Sequence, residues 1–327
     1  MCVAEAHSVS AACNLLRTDG ATVLASASGG TSLNGAEVAH FVSLIAEGRA
    51  LSRACRTTPT KPGTELGGLG FRELVPGRWH ANLMQRPSMA AVFAGGGAGA
   101  AGTANSASLE AQLEDWHDRA RTRMESLIPR FMPLVKQFFE PQPILEKECS
   151  ERVVLSQLQL LDIEPGAVAQ MWHADNVRHG LTVIIPLVGV NSELLGPTEI
   201  ILGSHTLVAR LWAARDVAAG SSGSKFAPPP LPLRTDVCTA HAYAPEGRAL
   251  AFDSRVLHRG MPIHEMCAAS ESESNVTGNG SGVQLRRPAL VLRWDAVATP
   301  PPGTGLLGTA ILRIVATVLA TAESVVR

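Results

Sequence analysis

Apolar residues recur at two different intervals along this chain, and the change from one to the other divides it. Before residue 150 an interval of three to four residues dominates. Residues 7–17 read as a short helix, Asp19-Gly20 as a turn into a brief strand over 21–24, and residues 35–50 as a helix with Val38, Phe41, Val42 and Ile45 near one face. The clearest helical region is 109–139, where Leu113, Trp116, Ala120, Met124, Leu127 and Phe131 make one apolar stripe. Pro129 and Pro133 divide or end it, because proline lacks a backbone donor and clashes with the preceding turn. Between these helices, 71–83 supplies a strand and the Gly/Ala-rich 95–103 a loop.

Beyond residue 150 the interval shortens to two. Residues 153–163, 168–175, 181–188, 198–202, 249–253 and 289–294 read as strands, with Glu164-Pro165-Gly166 and Pro245-Glu246-Gly247 as turns. Successive strands behind a helical first half predict an all-β core with flanking helices. The remaining strands are expected between 206 and 245 and upstream of 150. One domain is expected over 1–302, with its β core at about 150–295 and helical support over 1–150, followed by a helical tail at 303–327. The stretches 213–232, with Gly-Ser-Ser-Gly-Ser and Pro-Pro-Pro, and 266–285, rich in Ser, Glu, Gly and Asn, are insertions that form either lids or disorder. The apolar 306–322 carries Arg313 at its middle, which favours a packed helix over a membrane span.

Composition narrows the partners. Charged residues make up 17%, the net charge is −1 and the pI is about 6.8, so no basic field is available to hold nucleic acid or an anionic membrane. The cysteines, at 2, 13, 55, 149, 238 and 267, form no CxxC pair, and the first residues lack the pattern of a secretory signal. These features suggest a reducing, cytoplasmic setting and a monomer or weak homo-oligomer.

The candidate chemistry lies in two polar segments set in apolar frames: Gln170-Met171-Trp172-His173-Ala174-Asp175-Asn176 and Phe252-Asp253-Ser254-Arg255-Val256-Leu257-His258-Arg259-Gly260. On a strand, Met171, His173 and Asp175 share one face and Gln170 and Trp172 the other. His258 brings a second imidazole. Two neutral nitrogens and one carboxylate suit a non-haem Fe(II) that keeps positions open for substrate and O2. A phosphate-binding loop is not indicated, since Gly95-Gly96-Gly97-Ala98-Gly99 lacks a following Lys-Ser/Thr.

Two further stretches, Gly196-Pro197-Thr198-Glu199-Ile200-Ile201-Leu202-Gly203-Ser204-His205 and Arg287-Pro288-Ala289-Leu290-Val291-Leu292-Arg293-Trp294, complete an ordered set. Together the four resemble the Fe(II)/2-oxoglutarate-dependent oxygenases, in particular the phytanoyl-CoA dioxygenase-like family. The resemblance covers roughly 150–295 and implies that the β core is of the double-stranded β-helix type, jelly-roll and cupin-like. It implies iron ligands at His173, Asp175 and His258, and an Arg opening the strand after the last ligand that holds the distal carboxylate of 2-oxoglutarate, here Arg287. Arg286 and Arg293 are the alternatives if the strand register differs. Gln170 lies near the cosubstrate or makes a structural hydrogen bond, Thr182 offers a hydroxyl to a 2-oxoglutarate carboxylate, and Ser281 resembles the family's Asn-x-Ser element. The implied reaction is hydroxylation of a small organic metabolite, with release of succinate and CO2. The carboxylate at Asp175 favours this over halogenation, since related halogenases carry a small residue there. The substrate pocket is expected among 71–86, the loops after 188 and 205, and the insertion after 260. The rival readings are a metal-dependent cupin-type enzyme independent of 2-oxoglutarate and a non-catalytic β-helix interaction module.

Overall fold

A computed structural model describes residues 1–25, 30–57, 70–84, 104–140, 153–176, 179–209, 238–264 and 286–296. In chain order the elements are β1 (Glu5–Ala6), α1 (Val9–Thr18), β2 (Ala21–Leu24), α2 (Gly35–Thr57), β3 (Arg72–Val75), β4 (Arg78–Asn82), α3 (Ala104–Glu125), α4 (Ile128–Phe139), β5 (Val153–Ile163) and β6 (Gly180–Pro186). They continue with β7 (Thr198–Leu202), β8 (Cys238–Ala242), β9 (Leu250–Asp253), β10 (His258–Gly260) and β11 (Arg287–Ala296). The expectations for 95–103, 213–232, 266–285, Ser281 and the tail fall outside the described residues.

The strands form an eight-stranded sheet, β1-β2-β9-β6-β11-β5-β4-β3, and a three-stranded sheet, β10-β7-β8. Pairing is antiparallel except between β1 and β2. Period-two alternation gives the large sheet two chemically different faces. On one, Leu158, Leu160, Leu181, Val183, Leu290, Leu292 and Trp294 pack with the buried stripes of the helices, including Phe41, Trp116, Met124 and Phe131. The other face of β9, Leu250 and Phe252, joins Ile200, Leu202, Ala240 and Ala242 of the small sheet in a second apolar cluster. The cavity described below lies on this inner side of the large sheet.

The 109–139 region separates into α3 and α4 at residues 126–127, just before Pro129, which takes an early position in α4 where its missing N–H leaves no intrahelical bond unmade. Pro133 sits inside α4 and does not end it. That helix continues because Phe131, Leu134, Val135 and Phe138 are buried, and their burial outweighs one lost backbone bond.

The expected strand over 168–175 is the main departure. Only His173 pairs, as an isolated antiparallel bridge to His258. Next to it the ladder is made by a side chain: Gly260 N–H donates to Gln170 Oε1 at 2.9 Å, while Gln170 N–H donates to Gly260 O at 3.0 Å. Strict alternation therefore fails, and Met171, expected to face inward, is 62% exposed. Residues 238–242 supply a strand in the window expected between 206 and 245, and 72–82 forms a hairpin rather than one strand.

Helix α2 packs against Trp116 of α3 at Gly48, where an added Cβ would meet the indole ring at 2.2 Å. Trp116 is fully buried and donates from Nε1 to Leu44 O at 2.8 Å. Gly→Ala inside a helix ordinarily stabilises by up to about 1 kcal/mol. Overpacking a rigid indole costs about 1–3 kcal/mol and should win here. Gly48→Ala is therefore expected to lower the urea midpoint with the slope unchanged; a raised midpoint would show that Trp116 moves freely.

Candidate metal centre and cavity

Reciprocal backbone bonds, His173 N to His258 O at 3.0 Å and His258 N to His173 O at 2.9 Å, hold the two imidazoles side by side, with ring centroids 4.3 Å apart. Each ring is also fixed at Nδ1. His173 Nδ1 lies 2.8 Å from Met171 O and His258 Nδ1 lies 3.0 Å from Val256 O. A carbonyl only accepts, so each Nδ1 carries a proton and each Nε2 is the ring atom left to face a metal. The segment ending at His258 is held from the small sheet, where Leu257 N–H donates to Ser204 Oγ at 2.8 Å.

Asp175 completes the group. Its Oδ1 lies 3.7 Å from His258 Nε2, and its Oδ2 accepts from Thr182 Oγ1 at 2.7 Å. One ligand atom from each of His173, Asp175 and His258 lies within 4.8 Å of the others. Burial alone would raise the Asp175 carboxyl, but His258, Arg293 and His173, with the Thr182 hydroxyl, hold it below the ordinary carboxylate range. Burial, then the neighbouring His173, pushes His258 down to about 4, which leaves that imidazole neutral at pH 7. Two neutral nitrogens and an ionised carboxylate are the donor set a divalent transition metal takes, so the residues fit the expected ion.

Three arginines around β11 separate by their partners. Arg286 pairs with Asp162 at 2.5 Å and Glu164 at 3.2 Å. Arg293 pairs with Asp295 at 3.1 Å and donates to Asp175 O at 3.3 Å, so it braces the ligand-bearing backbone. Arg287 is 8% exposed and lines the cavity; among the described residues its guanidinium makes one long hydrogen bond, 3.5 Å to Leu195 O. No carboxylate among the described residues pairs with it. Burial and the adjacent Arg78 lower its pKa to about 9, which still leaves it charged at pH 7.

The cavity measures about 260 Å³ and is lined by residues of both sheets, including His173, Asp175, Thr182, His258 and Arg287. Inward positions of the large sheet line up across strands: Arg78 and Arg287 flank Ile163, and Arg293 lies between Gln157 and Thr182. Leu74, Arg78, Trp79 and His80 come from the expected 71–86 stretch and Val190 from the loop after 188.

Gln170 lines the cavity, but its Oε1 is occupied by Gly260 N–H, the structural alternative for this residue. Thr182 also lines the cavity; its hydroxyl donates to Asp175 Oδ2 and lies 3.0 Å from Ser254 Oγ, so it orients the carboxylate. Arg78 was not legible as a site residue. It is 4% exposed and donates to Val168 O, Gly260 O and Met261 O at 2.7–2.8 Å, tying β4 to both ligand-bearing segments. An added Cβ at Gly260 would meet Arg78 Nη1 at 2.6 Å and Gln170 Oε1 at 2.8 Å, so this brace requires glycine there. The available signal was an arginine on the inward parity of a hairpin strand, a pattern shared with many surface arginines.

Neither a family model nor a curated protein sequence matches the chain. Similar solved structures include AviO1 from Streptomyces viridochromogenes Tue57, 16% identical over 90% of this chain and 98% of that one, with a TM-score of 0.41. SnoN, described as a non-heme alpha ketoglutarate dependent epimerase from nogalamycin biosynthesis, is 14% identical over 91% and 90%, with a TM-score of 0.44. HygX from Streptomyces hygroscopicus, solved with nickel and 2-oxoglutarate bound, is 14% identical over 88% and 86%, with a TM-score of 0.41. Scores of this size leave the reading of the site to its own geometry. No helix among the described residues is long and apolar enough to cross a membrane, and Cys2, Cys13, Cys55 and Cys238 form no disulfide.

The ligand geometry sets a metal-binding test. Anaerobic titration is expected to show one Fe(II) per chain, with affinity falling by more than about tenfold in His173→Ala and in His258→Ala. Stoichiometric iron at unchanged affinity in both variants would remove the assignment.

Proposed function

We propose that this chain is an Fe(II)- and 2-oxoglutarate-dependent dioxygenase on a double-stranded β-helix scaffold, hydroxylating a small organic metabolite. The observation that carries the reading is the pairing of two features in one cavity. His173, Asp175 and His258 converge there, and Arg287 is buried in its wall with no carboxylate partner among the described residues. A buried guanidinium without a counter-charge is costly, and a dicarboxylate cosubstrate would supply one.

In this reading His173 Nε2, His258 Nε2 and one Asp175 oxygen hold the iron. Bound there with 2-oxoglutarate and O2, an iron would supply oxidative decarboxylation to succinate and CO2 coupled to hydroxylation of a substrate C–H bond. The chain's residues do the positioning. Met171 O and Val256 O fix the imidazole tautomers, Thr182 holds Oδ2 of Asp175, and Arg293 anchors the Asp175 backbone. Arg287 meets the distal carboxylate with a planar fork of donors, while Arg286 is held away by Asp162 and Glu164.

The decisive experiment adds 2-oxoglutarate to the Fe(II) protein without oxygen and follows the visible spectrum. A chelate absorption band is expected, and its absence would favour a cupin-type enzyme that works without the cosubstrate. Arg287→Leu is expected to raise the 2-oxoglutarate concentration for half-maximal band intensity by about tenfold or more, the worth of a charge-assisted bond, with iron affinity little changed. A full effect from Arg286→Leu and none from Arg287→Leu would move the role to that neighbour.

The carboxylate ligand makes a second expectation. With Asp175 on the metal, oxygen from O2 should enter the product and chloride should leave product identity unchanged. Substantial chlorinated product from the unaltered protein would overturn this assignment.

A further inference from the structure

One wall of the cavity carries polar groups that neither iron nor 2-oxoglutarate uses. Arg72 on β3 lies opposite His80 on β4, and Gln159 stands on the neighbouring strand β5. Arg72 Nε donates to His80 Nε2 at 2.6 Å, and His80 Nδ1 lies 3.3 Å from the atom placed as Gln159 Nε2. His80 is 4% exposed, and both His80 and Gln159 line the cavity.

The cation at one end sets the direction of this chain of hydrogen bonds. A guanidinium only donates, so His80 Nε2 accepts. Burial, and then Arg72, lower the His80 pKa to about 4, so at neutral pH the ring holds a single proton. With Nε2 accepting, that proton is on Nδ1, and an Nδ1–H requires an acceptor. The carboxamide atom facing it must be oxygen, since the nitrogen and oxygen of such a group are assigned from their partners. The Gln159 NH2 then takes the other end of the carboxamide, on a side chain that lines the cavity.

We propose that the Gln159 carboxamide, oriented by Arg72 through His80, is the polar subsite for the substrate: it donates to an ether, hydroxyl or carbonyl oxygen of a neutral, oxygenated compound. An ammonium ion finds no acceptor at this NH2. A carboxylate would be buried against one neutral amide with most of its lone pairs unpaired, which is costly. The charged cavity residues Asp175 and Arg287 are committed to the metal and the cosubstrate acid, and Arg78 is tied to backbone carbonyls. The proposal rests on the oxygenase reading only in calling the occupant a substrate.

The test uses the full-length 15N-labelled protein, with and without diamagnetic Zn(II) and 2-oxoglutarate. Long-range 15N–1H spectra are expected to show His80 as the neutral Nδ1–H tautomer at pH 7. Three probes of similar shape are then titrated: tetrahydropyran, piperidinium and cyclohexanecarboxylate. Tetrahydropyran is expected to shift the Gln159 side-chain NH2 resonances saturably, binding at least about fivefold more tightly than the charged probes, the worth of one neutral hydrogen bond. Gln159→Glu, which keeps an acceptor for His80 but removes the donor, is expected to abolish that preference. An Nε2–H tautomer, equal response to a charged probe, no response to any probe, or a preference that survives Gln159→Glu would each overturn the proposal. Loss of iron or 2-oxoglutarate binding with these results intact would overturn the oxygenase reading instead.

Discussion

The site depends on the two-faced alternation of the large sheet. Each strand must give one face to the helices and the other to a partly polar interior, and this is possible because successive side chains point oppositely. On β11, Leu290, Leu292 and Trp294 are buried against the helical layer, which fixes Arg287, Ala289, Val291 and Arg293 on the cavity side. On β5 the same division places Leu158 and Leu160 outward and Gln157, Gln159 and Leu161 inward. A one-residue slip would exchange the faces and drive charged groups into the apolar layer, so helix packing locks the register on which the polar site relies.

Charge within the fold is then distributed by pairing. Arg49, Arg286, Asp162 and Glu164 form an ion-pair network at one end of the sheet, and Trp79 joins it through Glu164 and a stacked Arg49. Burial still leaves its imprint there: the Asp162 carboxyl is pushed up and the Arg49 guanidinium down, burial being the largest influence on both. Arg287, next in sequence to Arg286, belongs to no such network among the described residues.

Much of this was legible because it followed from periodicity. The stripe from Leu113 to Phe131 and the strands at 153–163 and 198–202 agree with the sequence pattern. His173, Asp175 and His258 come together, as their residue types suggested, but without the strand expected under the first two. The irregular segment at 168–175 was not legible, because a Gln170 side chain replaces a backbone partner and alternation has no term for that exchange. The partners of Thr182 were not legible for a related reason: parity places its hydroxyl inward but does not say which inward neighbour meets it. Arg78 was hidden because its partners are backbone carbonyls, which leave no mark in a residue pattern.

The His173–His258 bridge also bears on how the molecule comes into being. No local stretch contains both imidazoles, and they meet only through backbone bonds between segments far apart in the chain. Closing so long a loop costs chain entropy before any contact across it is rewarded. The pair of rings therefore cannot act as a folding nucleus and must assemble after the strands around it have docked. An ion held by both rings would report a completed fold, and by binding the native state alone it would draw the folding equilibrium toward that state.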